Sequence, residues 1–245
     1  MEDKALLSTE EASGAEKAEL LIVIPAYNEA ENIERVVNHL TANFPQYDYV
    51  VVNDGSRDET AAICQRNGYN LLNLPVNLGL AGAFQAGLKY ADKYGYRYAV
   101  QLDGDGQHRP EYLEAMMKKM EEGYDIVIGS RFVGEKKPFT MRMLGSNLIE
   151  MAIRFTTGVN IKDPTSGMRM FSKRMIREFA SGLNYGPEPD TVSYLIRQGA
   201  RVAEVPVIMD ERILGVSYLT PVNAMRYMLK MLISILLIQN FRKRR

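Results

Sequence analysis

The chain has one cysteine and two histidines in 245 residues. A lone Cys64 excludes an internal disulfide framework, and so few imidazoles make a Cys/His zinc site improbable, which fits a reducing cytoplasmic setting. Any metal therefore needs oxygen ligands. An excess of charge of one sign is also lacking. Lys plus Arg number 30 and Asp plus Glu number 30, so no molecule-wide basic field is available to grip nucleic acid. No run of about 18 uncharged apolar residues occurs, so no clear transmembrane helix is expected. Residues 1–19 lack an apolar core and do not read as a signal peptide. With Glu2, Asp3, Glu10, Glu11, Glu16 and Glu19 against Lys4 and Lys17, they read as a disordered acidic arm. What the chain does have is 46% hydrophobic content, enough to pack a generous core.

From residue 20 the pattern is regular. Leu20 to Ile24 is a buried strand, and Asn28 to Asn43 carries apolar residues at helical spacing, with Asn28 and Glu31 placed as a capping box. Strands then alternate with helices: 49–52, helix 58–67; 70–74, helix 79–94; 98–102, helix 110–122; and a fifth strand at 126–128. Such alternation predicts an α/β fold with a mainly parallel sheet covered on both faces. Beyond residue 130 the alternation is lost. Helices are expected at 141–157, 187–198 and 218–241, a polar turn at 163–167, and a strand at 202–207. One domain over 20–210, followed by a loop and helix over 211–245, is the simplest organisation.

In a sheet of this kind ligands lie at the carboxyl ends of the strands. The loops there are polar or glycine-rich: Pro25-Ala26-Tyr27-Asn28-Glu29, Asn53-Asp54-Gly55-Ser56, Val76-Asn77-Leu78-Gly79 and Asp103-Gly104-Asp105-Gly106-Gln107. Asp103 and Asp105 offer two hard anionic oxygens, suited to holding one Mg²⁺ or Mn²⁺ together with a diphosphate, and Gln107 can add a neutral oxygen. Alone, Asp-Gly-Asp is commonly only a turn. At this edge of the sheet it reads as a site.

The order Ile24-Pro25-Ala26-Tyr27-Asn28-Glu29, Asn53-Asp54-Gly55-Ser56-Arg57-Asp58, Asn77-Leu78-Gly79 and Asp103-Gly104-Asp105-Gly106-Gln107-His108 resembles family 2 glycosyltransferases of the GT-A fold. Gly129-Ser130-Arg131-Phe132, Asp163-Pro164-Thr165-Ser166-Gly167-Met168-Arg169, Glu204-Val205-Pro206-Val207 and Arg212 to Ser217 extend the likeness to the polyprenyl-phosphate branch. That branch includes dolichyl-phosphate mannosyltransferases. The sequence is most similar to bacterial enzymes that transfer N-acetylglucosamine onto undecaprenyl phosphate for cell-wall polysaccharide modification. The resemblance implies that Pro25, Tyr27, Glu29, Asp54, Asp103 and Gly104 bind a nucleoside diphosphate sugar such as UDP-GlcNAc. It implies that Asp103, Asp105 and Gln107 hold the metal, and that Arg131, Arg142, Ser146, Arg212 and Ser217 grip the acceptor phosphate. Asp103, Asp105, Arg131 and Arg212 become the catalytic set. Some relatives carry lysine after the position of Ser217, where this chain has Tyr218.

A lipid monophosphate has a second pKa near 6 and is already a nucleophile at neutral pH, so no general base is required. Arginines and a metal then answer the repulsion between acceptor and diphosphate. Asp163 falls on a motif turn and either contacts substrate or orders the loop. His108 can reach phosphate or metal, Cys64 reads as a small core residue, and His39 as a surface one.

In the last helix Asn223, Arg226, Lys230 and Ser234 form a narrow polar stripe on an otherwise apolar surface. The helix can lie in a membrane interface at the cytoplasmic face, with Arg242 to Arg245 on anionic headgroups. Alternatively it is buried on its own domain, in a homo-oligomer or against a small membrane partner. Two rival functions remain at this stage: transfer to a hydroxyl of a growing polysaccharide, and a catalytically silent nucleotide-sugar-binding scaffold.

Overall fold

The computed structural model describes residues 18–135, 137–138, 140–181, 186, 188–210 and 221–241, with the backbone alone at 141, 142, 221–223, 240 and 241. The acidic arm falls on residues outside these except for Ala18 and Glu19. Glu19 is already tied to the sheet: its carboxylate pairs with Arg97 at 2.9 Å and its carbonyl accepts the Tyr98 N–H.

Seven strands form one sheet: β1 (Leu20–Ala26), β2 (Asp48–Asp54), β3 (Leu71–Leu74), β4 (Tyr98–Gln101), β5 (Ile126–Ser130), β6 (Arg169–Ser172) and β7 (Val202–Pro206). The order is β3-β2-β1-β4-β6-β5-β7, and every pairing is parallel except those of β6 with β4 and β5. Alternate side chains of β1 go to opposite faces, Leu21 and Val23 to one core and Leu20, Ile22 and Ile24 to the other. All five are fully buried, each contributing about 1.5–3 kcal/mol.

On the first face lie α3 (Gly79–Lys93), α5 (Met141–Thr157), α6 (Lys173–Ser181), α7 (Pro189–Arg197) and α8 (Pro221–Leu236). On the second lie α1 (Ile33–Asn43), α2 (Thr60–Arg66) and α4 (Leu113–Glu121). The expected α/β architecture is present, a mainly parallel sheet flanked by helices. Cys64 is buried in the second core, where burial pushes its thiol up to about 11.

Three expectations are corrected. The first helix begins at Ile33, not Asn28, and Asn28 is not its cap: it adopts φ 56° in the preceding loop. The alternation does not stop at residue 130, because β6 and α6 intervene. β6 is only four residues long and opens with a buried arginine, so its period-2 signal is too short to read. α6 is amphipathic, burying Met175, Ile176 and Phe179, with Phe179 edge-on to Phe171 of β6 at 5.4 Å between ring centres.

The last helix differs as well. It is described from Pro221 to Leu236, followed by a 3₁₀ turn over Ile238–Phe241, while residues 218–220 lie outside the described residues. Its polar stripe is split. Arg226 and Lys230 are exposed, but Ser234 turns inward and donates to Asp190 Oδ2 at 2.6 Å. α8 packs on α5 and α7 through Met231 and Ile235, while Met225, Leu229, Ile233 and Leu236 face outward. On α5, Leu144, Leu148, Met151 and Phe155 face outward too, Phe155 being 86% exposed. No helix among the described residues is long and apolar enough to cross a membrane.

Candidate active site

The β1 and β2 loops are stitched together at the carboxyl edge. Asn28 donates its N–H to Ser56 Oγ at 3.0 Å and accepts the Arg57 N–H on Oδ1 at 2.8 Å, while Ala30 N–H reaches Asp58 Oδ2 at 3.1 Å. Glu29 N–H donates to Thr60 Oγ1 at 2.9 Å, and that hydroxyl donates on to Asp58 at 2.5 Å. Glu29 is thereby fixed, its carboxylate accepting from the Asn32 side chain at 2.8 Å. Tyr27 stands half-buried beside it, and Pro25 is buried. Asn28 thus serves as a rivet between two loops, and a short polar side chain tolerates its left-handed backbone.

Asp54 ends β2 and is buried, with Oδ1 accepting the Leu78 N–H at 2.6 Å. The β3 loop is thus drawn against the β2 loop. Gly55 is required between them: its φ is +64°, and a Cβ there would lie 2.7 Å from the Asn77 backbone nitrogen.

The carboxylate turn follows β4. Gln101 donates to Asp103 Oδ1 at 2.9 Å, Gln107 N–H donates to Asp105 Oδ1 at 3.0 Å, and Arg35 holds the Asp105 carbonyl at 3.0 Å. His108 does not reach outward. Its side chain is 3% exposed, and Nδ1 accepts the Asp103 N–H at 3.0 Å. Gln107 donates through its amide to the Asp210 carbonyl at 3.3 Å, and Arg109 pairs with the Asp210 carboxylate through Nε at 2.9 Å. That arginine draws the Asp210 carboxyl below the usual aspartate range. The segment after β7 is thereby fastened to the turn.

No group of three or more His, Cys, Asp or Glu that could hold a metal occurs among the described residues. Two carboxylates in one turn still fit a hard divalent ion of the kind that takes one or two protein carboxylates and completes its shell with substrate phosphates and water. Asp103 keeps 30% of its side chain exposed, and Gln107 carries an amide oxygen two residues past Asp105.

Arg131 leaves the end of β5 and is gripped by Asp163, which is wholly buried. Its Nε and Nη2 donate to the two carboxylate oxygens at 2.7 and 2.9 Å, and its backbone N–H reaches Oδ2 at 3.1 Å. Asp163 in turn donates its N–H to Glu204 Oε1 at 2.8 Å, while Lys162 N–H takes the other oxygen. Asp163 therefore orders this side of the site by holding Arg131 through its backbone N–H, Nε and Nη2.

Thr140 caps α5, its Oγ1 accepting the Met143 N–H at 3.2 Å. One turn into that helix Ser146 is fully buried, with no hydrogen-bond partner on Oγ among the described residues. Arg142 lies in the first turn, with its side chain outside the description, and Arg212 and Ser217 lie outside the described residues altogether.

The structure thus gathers Pro25, Tyr27, Glu29, Asp54, Asp103, Gly104, Asp105 and Gln107 on the strand ends and loops at one edge, with Arg131 just past the end of β5 on that same edge. Gln101 and Asp210, which hold this arrangement together, carried no motif signal. For Gln101 a trace existed, a polar residue in an otherwise apolar strand two positions before the carboxylate.

A family model described as "Glycosyl transferase family 2" matches residues 21–179. The chain is 32% identical over 223 residues to polyprenol monophosphomannose synthase of Mycolicibacterium smegmatis, covering 86% of this chain and 84% of that protein. It is 31% identical over 210 residues to undecaprenyl-phosphate mannosyltransferase of Micrococcus luteus, covering 81% and 86%. To the UDP-N-acetylglucosamine–dolichyl-phosphate N-acetylglucosaminyltransferase of Methanococcus voltae it is 29% identical, covering 77% and 84%. Among solved structures, glucosyl-3-phosphoglycerate synthase of Mycobacterium tuberculosis, in complex with Mn²⁺, UDP and glucosyl-3-phosphoglycerate, superposes with a TM-score of 0.63 at 21% identity. That match covers 90% of this chain and 79% of the other, a likeness of fold.

Proposed function

The chain belongs to glycosyl transferase family 2, and from that premise we propose that it transfers N-acetylglucosamine from UDP-GlcNAc to undecaprenyl phosphate, with inversion to a β-linked sugar phosphate lipid. The carrying observation is the opposition, on one sheet edge, of the Asp103–Asp105 turn to an arginine locked by a buried carboxylate. One end suits a nucleoside diphosphate and the other an anionic acceptor.

Pro25, Tyr27, Glu29 and Asp54 are placed to line the base and ribose, Tyr27 offering a ring face with a polar tip. Asp103, Asp105 and Gln107 would hold Mg²⁺ or Mn²⁺, which when bound supplies neutralising charge for the departing diphosphate. Arg131 brings the acceptor phosphate to the sugar, helped by Ser146, Arg142, Arg212 and Ser217. A phosphate oxygen attacks the anomeric carbon, and the bond to the UDP β-phosphate oxygen breaks with its electrons. No proton need be removed first, because the acceptor is already an anion.

Transfer to a sugar hydroxyl needs a carboxylate base over the acceptor. Among the described residues, three carboxylates are committed elsewhere: Asp163 to Arg131, Glu204 to two backbone N–H groups, and Glu188 to the Tyr227 hydroxyl at 2.5 Å. This supports the phosphate acceptor. The intact carboxylate turn likewise supports turnover over a silent scaffold.

A second donor, mannose, is favoured by the higher identity to the two relatives named for it. Tyr218, where some relatives have lysine, is a departure from the mannosyl branch at a phosphate contact. A panel of nucleotide sugars incubated with undecaprenyl phosphate and Mn²⁺ or Mg²⁺ decides the matter by the mass of the lipid product. An N-acetylhexosamine increment from UDP-GlcNAc alone is expected, and a hexose increment alone overturns that donor.

The enzyme is placed at the cytoplasmic face of the membrane, with residues 20–210 as the catalytic unit, the acidic arm apart from it, and 211–245 as the acceptor loop and interfacial helix. The outward apolar side chains of α5 and α8 support this, since the two helices pack side by side and Arg154, Arg226 and Lys230 are exposed on them.

A further inference from the structure

The imidazole of His108 lies between the two halves of the site. Its Nδ1 accepts the Asp103 backbone N–H at 3.0 Å, so a neutral ring carries its proton on Nε2. Nε2 faces Asp103 Oδ2 at 3.6 Å, while Gln101 donates to Oδ1 at 2.9 Å. The carboxylate is thus hydrogen-bonded on Oδ1 from its own strand and faced across a longer contact on Oδ2 by the ring. The other side of the ring meets Gly167, where a Cβ would lie 3.1 Å from His108 Cε1 and 3.4 Å from Asp103 Oδ2. Gly167 closes the turn that begins at Asp163, the residue holding Arg131. With 3% of its side chain exposed, His108 has no path to substrate.

We propose that His108 is a positioning residue for the metal-binding carboxylate. It fixes the Asp103 backbone through Nδ1 and sets its Nε2 edge against the carboxylate, and its contact with Gly167 sets the spacing between that carboxylate and the Asp163–Arg131 pair. The proposal rests on the donor-site reading above and extends it to a residue that touches neither metal nor substrate. Groups that orient a metal-ligating carboxylate commonly change metal affinity about 10–100-fold when removed.

The test is Mn²⁺ binding to the full chain with UDP, read by loss of the free-ion electron paramagnetic resonance signal, beside the Mn²⁺ dependence of transfer. His108→Ala is expected to raise the Mn²⁺ concentration for half-binding about tenfold or more, with a smaller fall in kcat at saturating Mn²⁺. His108→Gln, which keeps an N–H near the place of Nε2, is expected to recover part of the loss. Gly167→Ala presses a methyl on the ring without altering a polar group, and is expected to weaken Mn²⁺ several-fold. Should His108→Ala not fold, the Gln and Gly167→Ala variants carry the test. Mn²⁺ half-binding within twofold of wild type in the folded variants overturns the proposal and leaves the donor site standing. Failure of the wild type to bind Mn²⁺ with UDP overturns both.

Discussion

Arg131 and Asp163, 32 positions apart in the chain, meet through two side-chain contacts of 2.7 and 2.9 Å on a carboxylate with no solvent exposure. The buried partner fixes the direction of the quarter-exposed one. Asp163→Asn keeps the shape but removes the charge that holds the fork. Breaking such a pair typically costs about 3–5 kcal/mol when both ions are buried, and the quarter-exposed Arg131 brings the expected loss to the lower end, about 3 kcal/mol. Urea unfolding measures that, and the KM for the lipid acceptor is expected to rise more than the KM for the nucleotide sugar. Arg131→Lys is expected to do the same to the acceptor KM, because an ammonium cannot reproduce the two-point contact.

Asp103→Asn and Asp105→Asn are each expected to lower transfer at least about a hundredfold, the equivalent of about 3 kcal/mol in the barrier. EDTA should do the same to the wild type, with recovery on adding Mn²⁺ or Mg²⁺. Circular dichroism should show both variants folded. Transfer that survives both substitution and chelation would sink the metal role.

Stability should depend on pH through Asp125, at the opposite edge of the sheet. Burial raises its pKa, but Arg174, the Arg201 N–H and the Ser172 hydroxyl outweigh burial and hold the carboxyl below the usual aspartate range. A folded pKa below the unfolded one means its contribution is full above the ordinary aspartate value and is lost as pH falls through the folded value. Arg174 is half-exposed, so solvent screening limits the Asp125→Asn loss at pH 7 to about 1 kcal/mol. Urea midpoints of wild type and variant should converge as the pH is taken below 4.

Phe155→Ser combined with Leu229→Ser removes one large apolar side chain from the outer face of each of α5 and α8. Burying such a side chain is worth about 1.5–3 kcal/mol, so sedimentation with anionic vesicles is expected to weaken about tenfold or more. Transfer to a short-chain, water-soluble polyprenyl phosphate should hold, since neither residue adjoins the site. Unchanged vesicle binding would show that another surface meets the bilayer.

The first five strands, their carboxyl-edge loops and the Asp103–Asp105 turn were legible because each is a local pattern. An apolar run followed by polar and glycine residues has one physical reading at the end of a parallel strand. Asn28 was misread for the same reason. Asn-x-x-Glu fits a cap locally, and only Ser56 and Arg57, nearly 30 residues on, give its side chain another task. Ser234 kept the period of an exposed stripe, yet Asp190 on a neighbouring helix turned it inward. The pairing of Arg131 with Asp163 and the enclosure of His108 had no local signature. Both depend on how β6 enters the sheet, and four residues beginning with arginine gave no warning of it.

The reversed strand has a further consequence. A strand running with its neighbours delivers its exit loop to the carboxyl edge; one running against them delivers its entrance. The turn from Asp163 to Gly167 reaches the active edge for that reason, and it comes attached to a spacer. Because β6 lies between β4 and β5, the strand carrying Asp103 and the strand carrying Arg131 stand two inter-strand steps apart, about 10 Å. That width is on the scale of one sugar ring with its bonds to phosphate on either side. On the function proposed above, the separation of the donor and acceptor sites is set by a ruler made of main-chain hydrogen bonds.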